Sequence, residues 1–458
     1  MKDTLREQML ARAEALVNEL STWAADHPEA DLDAREGVVL EYGRALLGEL
    51  LGLLAGAAGA RSPACPNCGL RSVRPVQRQR PRTLQTRCGV ISIPRQRLSC
   101  PGCGVSWQPL DRVLGLTPRQ RSSLGAQRWQ ARLGAVTTFR EAAVLLEELT
   151  GVAVGAETLR THAERLGTEV EGRQQAHLAH VQAEQAPPPP AYDPAPGRLL
   201  VEADGVMVRY RDRHLDGTRI DGDWHEVKLG LVAGWADEQL QAPSYVAARE
   251  PAVRFAQRLS TEAACRGALD VVSWRQAAQD GGGHQAILRP VVILGDGAKW
   301  IWDEAAASFG SERTEIVDWY HATEHLWTLA KALHGEPGPT THTATWQQRA
   351  ETLLWTRGAT ALLPHLARLH PATAEAAKTL VTERGYFRTN QQRMRYPTFR
   401  QQGLPLGSGA VEAEAKRLVQ LRLKRSGMRW SDLGARAILH LRCHSLSGRS
   451  FDDLPLAS

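Results

Sequence analysis

The stretch LLVEADGVMV (199–208) decides how the second half of the chain is read. It has the pattern of a buried strand: an apolar run, an acid and a glycine at Asp204 and Gly205, then more apolar residues. A carboxylate inside such a run is costly to desolvate unless something positive holds it. Two later stretches repeat the arrangement, VVILGDGAKW around Asp296 and GLPLGSGAVEAEAKRL around Glu412. Three acids in such settings are the pattern expected where carboxylates from distant segments converge on divalent metal.

Outward from this stretch, strands are expected at 199–209, 224–235 and 243–248, then a helical stretch at 251–279. A strand at 290–296, a helix at 299–309, a strand at 314–319 and helices to about 384 follow. Three meandering strands, a helix, then strands alternating with helices describe an α/β domain with a mixed sheet. That order matches a ribonuclease-H-like fold. In it Asp204 is expected to end the first central strand and Asp296 the fourth, its neighbour. Gly205, Gly295 and Gly297 flank the two aspartates, where missing side chains would let a nucleic-acid backbone come close. A lone Asp-Gly is also a common hairpin turn, so each signal draws its weight from the apolar run before it.

Glu412 follows Gly407-Ser408-Gly409, where Ser408 is placed to cap a helix running to about Arg425. Lys416, Arg417, Arg422, Lys424 and Arg425 make that helix basic and suited to DNA phosphates. Asp204, Asp296 and Glu412 offer only oxygen ligands, so magnesium or manganese is the expected ion. Before the glutamate, Arg384, Arg388, Arg393 and Arg395 lie among Tyr386, Phe387 and Tyr396, a composition suited to strand-end contacts. Trp327, Trp346 and Trp355 read as the core of a helical bundle, or as wedges beside an unstacked base.

The N-terminal part carries different chemistry. Residues 1–60 read as a helical hairpin for packing or self-association, broken at HPEADLD (27–33). Cys65-x-x-Cys68 and Cys100-x-x-Cys103 have the spacing of two knuckles closing one structural zinc site, with Cys88 left over. Residues 61–110 contain nine arginines and no Asp or Glu, a bias that points to DNA phosphates. Over 137–167 a helix, a turn at Thr150–Gly155 and a second helix from Glu157 form either a helix-turn-helix or a plain helical hairpin. In the first case Thr158, Arg160, Thr161 and Arg165 would face the major groove. HLAHVQAEQAPPPPAYDPAPG (177–197) is a stiff, proline-rich linker.

The organisation expected is therefore a helical hairpin over 1–60, a zinc-ribbon-like domain over 61–112 and a helix-turn-helix DNA-binding domain over 113–180. A linker at 181–197 leads to a ribonuclease-H-like catalytic domain over 198–448, with a helical insertion at about 322–384 and a tail at 449–458. Seven cysteines, four of them in CxxC pairs, fit metal binding in a reducing compartment better than disulfides. The net charge of +6 favours a polyanionic partner. The first ten residues carry no secretory pattern, and the apolar run at 46–60 contains Glu49 and is too short for a bilayer. A cytoplasmic, nucleoid-associated chain with no membrane partner is expected.

LVEADGVMV, WHEVKLGLV, GDGAKWIW, VDWYHATEHLW, GYFRTNQQRMRY, GLPLGSGAVEAEAKRL and LKRSGMRWSDLGA, in this order through 198–445, resemble bacterial insertion-sequence transposases of the DDE superfamily, nearest the ISKra group. The resemblance implies a catalytic triad on Asp204, Asp296 and Glu412, and accessory active-site roles for Asp318 and His321 of the D-x-x-H element. It implies binding of double-stranded DNA (transposon ends and target), metal-dependent strand cleavage and transfer, and a homo-oligomer that brings two ends together. A DNA-binding relative that no longer cuts, and a nuclease of the same fold without strand transfer, are the alternatives. HATEH (321–325) also satisfies H-x-x-E-H, a zinc-peptidase signature with His321, Glu324 and His325 on one helix.

Overall fold

Two long helices open the chain, α1 (Lys2–Asp26) and α2 (Leu32–Ala57), and Asp31 caps α2 by accepting the Ala34 amide at 2.9 Å. The computed structural model describes residues 2–58, 64–76, 81–182, 197–211, 224–267, 290–309, 313–338, 342–407 and 416–454. The chain forms two units, Met1–Glu169 with Phe451–Ser458, and Val170–Ser450.

In the first unit, strands β1 (Arg74–Pro75), β4 (Leu98–Ser99) and β5 (Ser106–Trp107) form a small antiparallel sheet, and β2 (Arg82–Thr86) pairs with β3 (Gly89–Ile93) as a hairpin. Ile91 and Ile93 point inward with Leu84, Leu110 and Ala55, whereas Val76 and Val90 are exposed. The period-two alternation of β3 selects which face of the hairpin is covered. The helices α3 (Pro109–Val113), α4 (Leu124–Val136), α5 (Phe139–Thr150) and α6 (Ala156–Gln182) follow, α6 running on into the second unit. Thr138 and Glu141 form a capping box at the start of α5, and Gly151, with φ of 69°, ends it.

The second unit is built on one mixed five-stranded sheet of order β10-β9-β6-β7-β8. β6 (Arg198–Arg209), β7 (Trp224–Ala236) and β8 (Gln239–Ala248) meander antiparallel, joined at β7–β8 by Asp237 and Glu238, both at positive φ. After α7 (Ala252–Cys265), β9 (Val291–Gly295) lies parallel to β6. After α8 (Lys299–Phe309), β10 (Arg313–Val317) lies parallel to β9. All five β9 residues are buried, as a central parallel strand requires. The helices α9 (Trp319–His334), α10 (Thr343–Arg357), α11 (Ala359–Ala367) and α12 (Ala374–Thr389) follow β10, and α13 (Tyr396–Gln401) comes after them. Leu326, Leu354, Leu362 and Phe387 join the sheet residues in one core. A π-helical turn at Lys416–Gln420 and a short helix at Leu421–Leu423 precede α14 (Asp432–Leu446).

Two expectations from sequence change here. Asp204 does not end its strand: β6 continues to Arg209, because Val206 and Val208 keep an inward face that pairs with β7. The expected Arg-aromatic surface before Glu412 is divided: Phe387 and Tyr396 are fully buried and Arg393 is paired with Glu315 at 2.5 Å, whereas Arg388 and Arg395 are exposed. Among the described residues, no helix is long and apolar enough to cross a membrane.

Candidate active site and cysteine cluster

The parallel pairing of β6, β9 and β10 ends on one rung. Ala203 of β6 pairs with Gly295 of β9, which pairs with Val317 of β10, and the next residues are Asp204, Asp296 and Asp318. Neighbouring strands stand about 4.8 Å apart, so three aspartates follow one another along one end of the sheet. They differ in what holds them. Asp204 is partly exposed, and its Oδ1 accepts the Gly205 amide at 2.6 Å. Asp296 is also partly exposed and accepts the Ala298 amide at 2.7 Å, turning the chain into α8. Asp318 is fully buried and caps α9 by accepting the Tyr320 and His321 amides at 2.5 and 3.1 Å. Its own amide donates to the Gly295 carbonyl at 2.8 Å, which ties the end of β10 to that of β9. The His321 ring lies 3.4 Å from the Glu324 carboxylate. Glu412 lies outside the described residues.

Asp204 and Asp296 thus offer oxygen donors of the kind a hard divalent cation takes, both partly exposed just past the last parallel rung of adjacent strands. Asp318 is committed to its helix cap. Two of the flanking glycines serve another purpose than the one expected. A Cβ at Gly205 would collide with the Glu226 carboxylate, one at Gly295 would reach Ile301 at 2.9 Å, and one at Gly297 would reach the Tyr386 ring at 2.7 Å. At Gly295 and Gly297 the space is filled by the protein's own side chains, whereas Gly205 is exposed and only the end of the Glu226 side chain approaches it. Gly297 also adopts φ of 100°, where a side chain is strained.

Tyr386, read from sequence only as part of the Arg-aromatic patch, has a different place, against Asp296. Its hydroxyl donates to the Asp296 carbonyl at 3.0 Å, and its ring stacks on His325 with centroids 3.6 Å apart. Burial, together with the charges of Asp296, Asp318, Glu383 and Glu324, pushes the Tyr386 phenol far above its ordinary value, so it remains a donor. His325 Nδ1 lies 2.5 Å from the buried Glu383 carboxylate. This arrangement occupies one of the two histidines of HATEH. Trp346 packs against the core, and Trp355 meets Trp319 edge-on at 4.6 Å, as a bundle core requires.

The four cysteines form the second constellation. Sγ of Cys65 is 3.5 Å from that of Cys103, Cys68 is 3.5 Å from Cys100, and all four lie within 4.8 Å of one another. Sulfurs at the corners of a tetrahedron about 2.3 Å from a zinc ion stand roughly 3.8 Å apart, so the cluster fits such an ion. The two halves are built alike. Cys65 N–H donates to Leu70 O at 2.8 Å and Gly69 N–H to Cys65 O at 3.0 Å; Cys100 N–H donates to Val105 O and Gly104 N–H to Cys100 O, both at 2.9 Å. The Val105 amide, then Asn67, bring the Cys103 thiol down to about 6. The Leu70 amide favours the Cys68 thiolate, but Cys100, burial and the other two sulfurs outweigh it and push that thiol up to about 12. Cys88 sits in the β2–β3 turn, outside the cluster. Among the described residues this is the one group of three or more His, Cys, Asp or Glu ligand atoms so close together.

The basic residues differ in exposure and in partners. Arg82 is buried and Arg95 partly so, and both pair with Asp111, at 2.8 and 2.6 Å. The acid that neutralises them lies just beyond the acid-free stretch. On α6, Thr158 is exposed, Thr161 bonds to the Glu157 carbonyl at 2.9 Å, and Arg160 is paired with Glu157 and Glu164. Arg165 donates to Gln127 of α4. Arg417, Lys424 and Arg425 are exposed. Arg422, expected to face DNA with them, is 1% exposed and lies 4.8 Å from the Trp430 ring, because the helix turns that residue inward. Lys416 opens the π-helical turn.

No family model matches the chain. A protein described as "UPF0236 protein in vanSb 3'region", from Streptococcus gallolyticus, is 31% identical over 144 residues. The match covers 31% of this chain and 27% of that relative.

Proposed function

We propose that this protein is a DNA transposase of the DDE class, which binds the terminal inverted repeats of an insertion sequence and cleaves and joins DNA strands. The observation that carries the reading is the last rung of the parallel β6–β9 pair, Ala203 with Gly295, which Asp204 and Asp296 directly follow. Numbered from β6, the sheet order is 5-4-1-2-3 with the first three strands antiparallel, an order that supports the ribonuclease-H-like reading. Asp204 and Asp296, with Glu412, would hold magnesium or manganese, which when bound supplies charge neutralisation at phosphate and a more acidic water.

The chain's own residues orient the substrate. Arg417, Lys424 and Arg425 are exposed and would contact phosphates, joined by Lys416. Asp318 fixes the start of α9, where His321 would stand beside the scissile strand. The cysteine cluster would bind zinc as the centre of a zinc ribbon, and the α5–α6 pair would act as a helix-turn-helix, with Thr158 exposed to meet DNA. Joining two ends calls for at least two copies of the chain, acting on DNA in the cytoplasm.

The test uses purified protein, Mg2+ and linear DNA carrying the segments that flank the gene. The expected products are strands cut at the element boundary with 3′-hydroxyl ends, and those ends joined to target DNA. Asp204→Asn and Asp296→Asn should each lower cutting by roughly three orders of magnitude, the several kcal/mol a bound cation supplies, while leaving DNA affinity unchanged. Cutting without joining would identify a nuclease, and binding without cutting a relative that has lost catalysis. Peptidase activity that survives Asp204→Asn and is lost in Glu324→Gln would replace the reading altogether.

A further inference from the structure

We infer that Tyr386, braced by His325 and Glu383, is a positioning residue that sets where the Asp296 carboxylate stands. The inference rests on the transposase reading and names a residue that reading does not need. Asp296 lies just beyond the last residue of β9, where the ladder no longer fixes the backbone. Tyr386 replaces that restraint from outside the sheet. Its hydroxyl bonds the Asp296 carbonyl at 3.0 Å, and its ring fills the space above Gly297 that a Cβ would need.

The ring is itself immobilised. His325 of α9 stacks on it at 3.6 Å with an interplanar angle of 20°, and Glu383, one helical turn before Tyr386 on α12, holds Nδ1 of His325 at 2.5 Å. A nitrogen that close to a carboxylate carries the hydrogen, which fixes the plane of the imidazole. Asn390, buried at the end of α12, donates from its side chain to the Tyr386 carbonyl at 3.2 Å. Two helices that begin far from Asp296 in sequence therefore close on its turn. A shift of 1 Å in a ligand is enough to spoil a cation site, so rigidity at this point has a function.

A second tyrosine provides the control. Tyr396 is buried in the same bundle and donates to the Val317 carbonyl at 3.0 Å, at the end of the next strand, without touching Asp296. Binding of Mn2+ alone to the full chain, followed by the resonance signal of the free ion, separates the roles. Tyr386→Phe should weaken the Mn2+ site that Asp296→Asn abolishes by about tenfold, with the melting temperature close to wild type. Glu383→Gln should weaken it by a smaller factor, and Tyr396→Phe should leave it unchanged. Wild-type affinity in Tyr386→Phe would overturn the inference, as would equal losses in the two Tyr→Phe variants, which would reveal a general loss of packing. If the wild type binds no Mn2+ that depends on Asp204 and Asp296, the transposase reading falls first and the inference with it.

Discussion

The cysteine cluster and the aspartate edge are assembled in opposite ways. Each half of the cluster is complete within six residues, Cys65–Leu70 and Cys100–Val105, with the same pair of backbone hydrogen bonds in both. Such a site needs only two short turns to find each other. The aspartate edge has no local structure of its own: Asp204 and Asp296 are neighbours only because β6 and β9 share a register at an offset of 92 residues. The first site is written in spacing, the second in topology. Loss of one ligand should therefore unmake the first as a structure, but leave the second folded and chemically silent.

The largest effect expected from this contrast is at the cysteines. Cys100→Ser, or a strong chelator, should lower bound zinc from one ion per chain to none. It should also expose the segment around 64–107 to proteases, since a structural zinc contributes on the order of 10 kcal/mol to such a domain. Zinc content by mass spectrometry of the metal, beside limited proteolysis, measures both. Asp204→Asn should leave the proteolysis pattern as in wild type. If it unfolds the second unit, the proposed contrast between structural and chemical ligands is wrong.

The same contrast explains what could be read in the sequence. Both CxxC pairs, the α8 boundaries 299–309 and the strands around Asp204 and Asp296 were legible, because spacing and apolar runs encode them. The fate of individual charged and small residues was not. Gly295 and Gly297 look like openings for a ligand, and only the fold reveals Ile301 and Tyr386 in that space. Arg422 looks like its exposed neighbours Arg417 and Arg425, yet it is turned under Trp430. Tyr386 carries no local motif for its role, since its partner Asp296 is 90 positions away. Long-range partners decide these cases, and periodicity within one element is blind to them.

A smaller effect sharpens the comparison within the first unit. Asp111 is buried and accepts from both Arg82 and Arg95, so one carboxylate serves two guanidinium groups. Asp111→Ala should cost about 3–5 kcal/mol, because it leaves the buried Arg82 charge without its counter-ion. Urea denaturation reads this directly, and zinc content should stay at one ion per chain. Loss of the ion in this variant would show that the cluster depends on its surroundings more than its two self-contained turns imply.

The smallest effect is one of pH, and it lies in the same unit. His162 on α6 bonds the buried Gln130 side chain, and burial, helped by the nearby Arg165 charge, lowers its pKa to about 4. The folded state therefore favours the neutral ring, while the unfolded chain takes up a proton near pH 6.5. This contribution is fully present above pH 6.5 and is lost as pH falls toward 4. If the cluster holds zinc, protonation of its thiolates would destabilise the unit in the same direction, so the comparison needs a variant. The variant His162→Gln keeps a donor for Gln130 and removes the titration. Its melting temperature should fall less steeply than that of wild type between pH 6.5 and 4, with the same loss of zinc in both proteins. Identical slopes would mean that His162 does not contribute to the acid side of this unit, and that other groups, such as the thiolates or the Arg160-paired Glu157, govern it.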